Sequence, residues 1–572
     1  MHRVRFWWGL ARVLHLEPGP ELTRPVRVPR VQYEADLTAE LRTPGGSIEL
    51  WPIQSAALQA VRHAGGGFFP IAVGHGKTLI ALLSGSVLGA RLSIVLTKAR
   101  IVSQTIREYE RAKKHFRMPE TRVVSYASLS HKSGSQMLDR LAREYEPGQV
   151  VIVCDEAHAL AAPTSARTRR ILRYARVTRG AFVMLSGTML RRSVKDCAHL
   201  AELALRQWSP LPAAGVYGNR ARGTLEAWGE CLDVAGRPAP SDWAQVEPLA
   251  RFGEVDPSLR GAARVRALRA AFAERLRSAP GVVMSGEHEL GMSLEIIPIH
   301  IEPPAAVSAA IEHVAITDET PNGEPITDDL QRWRIGRELS GGFFYVWDWP
   351  GEPDREWLEA RSEWARHVRA EINARAATGY DSPALVAEKI SEEIGVVRPR
   401  AIHRAWERWL SELWKDPPPV RTCTISDYLA RDAVALAESI RAPVIIWYES
   451  RAMEEMLTGL LPVFGSGSEP PESPAINCAC SWRAHGTGRN LQAWHVSIVV
   501  EPPSSGAAWE QLLGRMHRPG QTADAVTCYV YQHTGPMRSA LASAERAERF
   551  VRDSTGERRR LLYADRGEVL ER

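Results

Sequence analysis

The sequence predicts an α/β protein with two tandem parallel-sheet lobes, helices on their faces, and a helical insertion in the second lobe. Three observations predict it: short apolar runs alternate with helical patterns, the alternation repeats after a long interruption, and 572 residues exceed what one hydrophobic core supports. In the first series the runs are Ser93-Ile94-Val95-Leu96, Arg122-Val123-Val124, Val150-Val151-Ile152-Val153 and Phe182-Val183-Met184-Leu185. Continuous rather than alternating apolar strands are buried on both faces, as in a parallel sheet covered by helices. The second series begins at Leu294-Glu295-Ile296-Ile297 and resumes at Val444-Ile445-Ile446-Trp447. It continues through Ala475-Ile476-Asn477-Cys478, Ser497-Ile498-Val499-Val500 and Val526-Thr527-Cys528-Tyr529-Val530.

These runs divide the chain into an N-terminal segment (1–44), a first lobe (45–205), a Pro/Gly-punctuated bridge (206–280) and a second lobe (281–537). A charged, helical C-terminal tail (538–572) follows. The bridge carries an amphipathic stretch after Pro257, and the helical insertion occupies about 303–440. That insertion is rich in Arg, Glu, Ala and Trp, including Trp347, Trp357, Trp364, Trp406, Trp409 and Trp414. Such tryptophans could stack on bases, but large aromatics at helical spacing are better read as packing residues.

Apolar content of 44% and charged content of 24% exclude a largely disordered chain. No run approaches the length of a transmembrane helix, so no membrane partner is expected. A net charge of +5 is too small over this length to indicate nucleic-acid binding, because a basic groove is invisible in a whole-chain sum. The N-terminus loosely mimics a signal peptide, but Arg12 and His15 interrupt its apolar run and no small-residue cleavage site follows. Seven scattered cysteines lack the paired spacing of a zinc site. No zinc and a reducing, cytoplasmic compartment are the expectation.

Chemistry concentrates at Ala72-Val73-Gly74-His75-Gly76-Lys77-Thr78, which follows an apolar segment and precedes the helical run Leu79-Ile80-Ala81-Leu82-Leu83. Glycines let backbone N–H groups close around phosphate oxygens, and the following helix points its positive end at them. Lys77 is placed to contact the β- and γ-phosphates and Thr78 to hold Mg²⁺. Gly74, His75 and Gly76 complete the loop, with His75 read as a spacer. Ile71 stands where the strict phosphate-loop pattern has Gly. Val151-Ile152-Val153-Cys154-Asp155-Glu156-Ala157-His158 supplies the complementary acids, delivered by an apolar strand to the carboxyl edge of the sheet. Asp155 suits Mg²⁺ and Glu156 suits polarisation of an attacking water. ATP and Mg²⁺ are therefore the expected cofactors.

Gly74–Thr78 and Asp155-Glu156-Ala157-His158 resemble motifs I and II of the DEAH-containing superfamily-two helicases. Leu50-Trp51-Pro52-Ile53-Gln54 resembles their upstream Q element, which implies that Gln54 reads the adenine edge. Ser186-Gly187-Thr188 resembles motif III, implying that Ser186 and Thr188, with His158, link hydrolysis to the nucleic-acid groove. Met189 stands where many relatives have Pro. Most diagnostic is Gln511-Leu512-Leu513-Gly514-Arg515-Met516-His517-Arg518-Pro519-Gly520-Gln521, similar to motif VI of the Swi/Snf-like branch. It implies that Gln511 belongs to the nucleotide site and that Arg515 and Arg518 are arginine fingers neutralising charge on the γ-phosphate. Arg518 is slightly favoured to reach it. Spaced by three, the two share one face where that segment is helical.

Gly486-Thr487-Gly488-Arg489-Asn490-Leu491-Gln492 resembles motif V, implying strand contacts from Gly486, Thr487, Arg489 and Asn490. An apolar residue is usual where Arg489 stands. Pro443–Tyr448 takes the place of motif IV, and Thr97-Lys98 and Ser125-Tyr126 those of motifs Ia and Ib, which grip a strand backbone. The resemblance covers roughly 45–205 and 280–535. It implies two RecA-like P-loop lobes of bacterial or bacteriophage type working as an ATP-driven translocase or helicase on DNA, in the host cytoplasm if phage-encoded. Duplex DNA is the favoured track, RNA the alternative, and replication, repair or recombination proteins the class of partner. A non-hydrolysing nucleotide-gated clamp is a third reading, which the presence of Glu156, Arg515 and Arg518 disfavours.

Overall fold

The computed structural model describes residue 33 and residues 35–572, apart from 73, 191–192, 219–221, 235, 237, 254, 286–291, 318, 324–325, 327–328, 376–382, 414, 416–417, 472–475, 487–490 and 519. Most of the N-terminal segment, Trp414, and the expected strand contacts Thr487, Arg489 and Asn490 therefore lie outside the described residues. The fold is α/β, with two parallel sheets flanked by helices.

The first sheet is built from β1 (Gly67–Phe69), β2 (Leu92–Thr97), β3 (Glu120–Ser125), β4 (Val150–Asp155) and β5 (Ala181–Leu185). Its order is β1-β5-β4-β2-β3, and every pairing is parallel. Successive side chains of a strand point to opposite faces, which explains why the runs are continuously apolar. Ile94, Leu96, Ile152, Phe182 and Met184 enter one core, while Val95, Val151, Val153, Val183 and Leu185 enter the other. Helices cover both. Strand β1 has no pattern of its own to read, being three residues long.

The second sheet comprises β6 (Ser293–His300), β9 (Val444–Tyr448), β10 (Val463–Phe464), β11 (Cys478–Ser481), β12 (Val496–Val499), β13 (Ala525–Tyr531), β14 (Asp565–Arg566) and β15 (Leu570–Glu571). Its order is β10-β11-β9-β12-β13-β6-β14, with β15 also on β6. All its pairings are parallel. The strand expected at Ala475–Cys478 starts only at Cys478. Asn477 is withdrawn from pairing because its amide accepts from Val444 N–H at 2.9 Å and donates to the Ala437 carbonyl at 3.0 Å.

The interruption in the second unit is not purely helical. Strands β7 (Phe343–Trp347) and β8 (Val420–Thr424) form a separate antiparallel ribbon. Three helices, Arg355–Arg375, Pro383–Glu393 and Ala401–Glu412, lie between them in the chain. Trp364, Val386, Ile390, Ile402 and Trp406 make a core of their own. Trp364 and Trp406 have ring centroids 4.6 Å apart, and Trp357 meets Trp347, Trp349 and Trp409 edge-on at 5.8, 5.7 and 5.5 Å. The aromatics are spent on packing one another. The helix Tyr428–Ser439 belongs instead to the second sheet's core through Leu429, Ala433 and Leu436.

Bridge residues Trp228, Leu232, Val246, Leu249 and Phe272 join the same core as Ile152 and Phe182. The bridge thus completes the first unit rather than merely following it. Trp228 is fully buried and packs edge-on to Phe272 at 5.9 Å. We expect Trp228→Ala to cost roughly 3–5 kcal/mol, read as a lowered midpoint in chemical denaturation.

The segment expected as a tail is also integral. The helix Gly535–Thr555 places Leu541 and Ala544 in a core of the second sheet and Phe550 and Val551 in the core of the first. After it, β14 and β15 extend the second sheet. Among the described residues, no helix is long and apolar enough to cross a membrane.

Candidate functional site

The loop Gly74–Thr78 leads into the helix Lys77–Val87, whose N-cap is Gly76 at φ 68°, with Gly74 at φ 97°. Both positions lie in the left-handed region that favours glycine. Gly76 is also a point of close approach, since a Cβ there would sit 2.1 Å from Gln54 Nε2. No side chain caps this helix, so its first turn keeps N–H donors at the loop. Lys77 Nζ donates to the carbonyls of Ile71 at 2.9 Å and Ala72 at 3.0 Å. Burial pulls the Lys77 ammonium down from its ordinary value, against the opposing charges of Glu156 and Asp155. Ile71, in the place of the usual Gly, is a buried core residue. Thr78 and His75 are half-buried.

Gln54 is buried; its Oε1 accepts from Trp51 N–H at 2.8 Å and its Nε2 donates to the Gly76 carbonyl at 3.2 Å. It ties the helix Pro52–Ala64 to the Gly74–Thr78 loop. Trp51 beside it is 47% exposed.

Strand β4 ends on Asp155, and Glu156 turns sharply at φ 57°. A glutamate in that region carries strain that surrounding contacts must hold. His158 supplies them: its Nδ1 lies 3.1 Å from Glu156 Oε2, 2.9 Å from Ser186 Oγ and 3.0 Å from Thr188 Oγ1. The acid and the Ser186-Gly187-Thr188 segment are therefore one hydrogen-bonded cluster. Burial would raise the Glu156 carboxyl, but the hydrogen bond and charge of His158 and the charges of Lys77 and Lys98 hold it below the usual carboxylate range. Asp155 moves the other way, pushed up to about 6 by burial and by the adjacent Glu156. Tyr126 donates its hydroxyl to the Asp155 carbonyl at 2.9 Å.

In the second unit, Arg515 is buried and donates Nε–H to the carbonyls of Gly486 at 3.0 Å and Gln511 at 3.2 Å. Burial and the neighbouring Arg518 push it down to about 10, with Glu156 opposing. Lys77 feels the charge of Arg515 in turn. Residues far apart in sequence thus converge on one electrostatic neighbourhood. Arg518 is half-buried, with an Nε that has no hydrogen-bond partner, and the charges near it are those of Arg560 and Arg515, with neither acid among them. The structure brings Arg515, rather than the sequence-favoured Arg518, towards the acids. Nor do the two share a helical face, because the helix Gly506–Leu513 ends before both.

The strand-gripping expectations fare unevenly. Thr97 is buried, and Tyr126 stands behind β4, so both side chains serve the core of the first unit. Ser125 Oγ accepts from Ser128 N–H at 3.2 Å. Lys98 is half-buried and acts on Asp155 and Glu156. Gly486 contributes its carbonyl to Arg515. Sequence reasoning missed Arg100, which acts on Glu156 and donates to the Arg483 carbonyl of the second unit. No motif marks it; only its position two residues beyond Lys98 offered a hint.

Among the described residues, no group of three or more His, Cys, Asp or Glu is arranged to hold a metal ion. The donors at hand are the Thr78 hydroxyl and the Asp155 carboxylate. Such a sparse, all-oxygen set fits Mg²⁺ held largely by water and substrate phosphates. No protein-family model matches the chain, and no curated protein matches it.

Proposed function

We propose that this chain is an ATP-hydrolysing nucleic-acid translocase of the Swi/Snf-like branch of superfamily two, with its two units working as RecA-like P-loop lobes. The observation that carries the proposal is the convergence of Lys77, Asp155 and Glu156 from the first unit with Arg515 from the second. Each lobe then holds part of one catalytic site, and the parts act together only when the lobes are closed.

Lys77 exchanges the Ile71 and Ala72 carbonyls for the β- and γ-phosphates, and the Gly74–Thr78 amides cradle their oxygens. Thr78 and Asp155 would hold Mg²⁺, whose charge would offset that of the phosphates. Glu156, held ionised by His158, accepts a hydrogen bond from the attacking water and aligns it with the γ-phosphorus. Arg515 faces the charge that develops as the bond to the β-phosphate oxygen breaks. Ser186 and Thr188, bonded to the same His158, carry the change at Glu156 into the first lobe. Product release lets the lobes separate.

Duplex DNA is the track this reading favours. A grip on phosphates makes movement independent of sequence and sensitive to salt. Seven free thiols agree with a reducing, cytoplasmic setting. ATP turnover measured without nucleic acid and with single-stranded DNA, duplex DNA and RNA tests the proposal, with Lys77→Ala as background. Stimulation by duplex DNA is expected. Stimulation by RNA alone would replace DNA as the track, and a strand-displacement assay separates unwinding from translocation.

A further inference from the structure

The C-terminal segment carries four buried charges, and Glu510 of the helix Gly506–Leu513 a fifth, that no phosphate-site motif uses. Arg559, Glu548, Glu557, Arg560 and Glu510 are each no more than 5% exposed. Arg559 pairs with Glu548 through Nε, and its Nη1 lies 3.2 Å from Glu557 Oε2. The same Nη1 donates to the Gly187 carbonyl of the first unit at 3.0 Å. Gly187 is the middle residue between Ser186 and Thr188, whose hydroxyls meet His158 and so reach Glu156.

The neighbouring residue faces the opposite half of the site. Arg560 pairs with Glu510, donates its backbone N–H to Glu510 Oε2 at 3.0 Å, and donates Nε–H to the His517 carbonyl at 3.2 Å. His517 lies between Arg515 and Arg518. Glu557 in turn accepts from Ser285 Oγ at 3.4 Å, and that hydroxyl accepts from Ala72 N–H at the start of the phosphate loop at 3.1 Å. Gly506 makes room for the network, because a Cβ there would meet Glu548 Oε1 at 2.3 Å.

We propose that Arg559 is a positioning residue that holds the Glu156 cluster of one lobe in register with the Arg515 loop of the other. The role rests on the ATPase reading above. Buried ion pairs add little stability over an apolar core of the same shape, and their worth is often in fixing one arrangement. Here the arrangement fixed is that of the two halves of the catalytic site. The planar guanidinium is required because it serves two carboxylates and a carbonyl at once, a fork that an ammonium cannot reproduce.

Two variants test this. Arg559→Lys keeps the buried positive charge and gives up the fork. Arg559→Met with Glu548→Met removes that pair together, and Glu557, which loses Arg559, keeps its hydrogen bond from Ser285 Oγ. Thermal unfolding establishes that each is folded, and steady-state turnover with duplex DNA then separates kcat from KM. The expected result is a roughly 10-fold fall in kcat with a smaller change in the KM for ATP, because Arg559 reaches the phosphate loop only through Glu557 and Ser285. A wild-type kcat in either folded variant overturns the proposal. So does failure of both to fold, which assigns the network to stability alone. Absence of turnover in the wild-type protein contradicts the ATPase reading instead, so the two failures are distinguishable.

Discussion

Glu156→Gln is expected to bind ATP and to lose turnover by on the order of 10³-fold. The amide keeps the shape of the side chain and one oxygen, but it cannot draw a proton from water. Two further consequences follow from the surroundings. His158 loses its ionic partner at 3.1 Å while keeping Ser186 and Thr188, so the segment should hold its place. Lys77 loses one of the three charges that offset its burial, those of Asp155 and Glu557 remaining, and the Gly74–Thr78 loop stays intact. Affinity for ATP should therefore change little, and equilibrium binding measured beside turnover checks this. Loss of both together would make Glu156 a structural support.

Arg515→Ala is expected to lower kcat by about 10³-fold, the scale of other arginine fingers, with Arg518→Ala costing less. The ranking comes from placement. Arg515 lies in the field of Glu156 and Lys77, whereas the charges near Arg518 are those of Arg560 and Arg515. Arg515→Lys should not rescue, because Nε–H holds the guanidinium on the Gly486 and Gln511 carbonyls and lysine has no counterpart to it. Single-turnover kinetics on the three variants measures this ranking. Near-normal turnover in Arg515→Ala would remove that residue from the site.

The local parts of the candidate site were legible because each depends on near neighbours in the chain. A glycine loop at a strand–helix junction and two acids at a strand end declare themselves by spacing. The same holds for the runs at β4, β5 and β9, where two-sided burial leaves an unbroken apolar word. Legibility ended where pairing is set at long range. Asn477 reads as part of a strand until its amide is seen bonded to Val444 and Ala437. The ribbon β7–β8 joins segments separated by three helices, so no local pattern announces it.

The C-terminal segment shows the limit most clearly. Glu548, Glu557, Arg559 and Arg560 look like a solvated charged tail, and only the folded arrangement gives each a buried partner. Arg515 and Arg518 illustrate a subtler case. Their presence was readable, but their ranking depended on a helix that ends at Leu513, a boundary that sequence places poorly.

The central claim is that one nucleotide site is assembled from both lobes. A crystal structure of Glu156→Gln with ATP and Mg²⁺ tests it most directly. The triphosphate is expected on Gly74–Thr78, with Lys77 Nζ on its β- and γ-oxygens and the Arg515 guanidinium within hydrogen-bond reach of the γ-phosphate. A triphosphate bound away from that loop, or bound there with no arginine of the second lobe in reach, would contradict it.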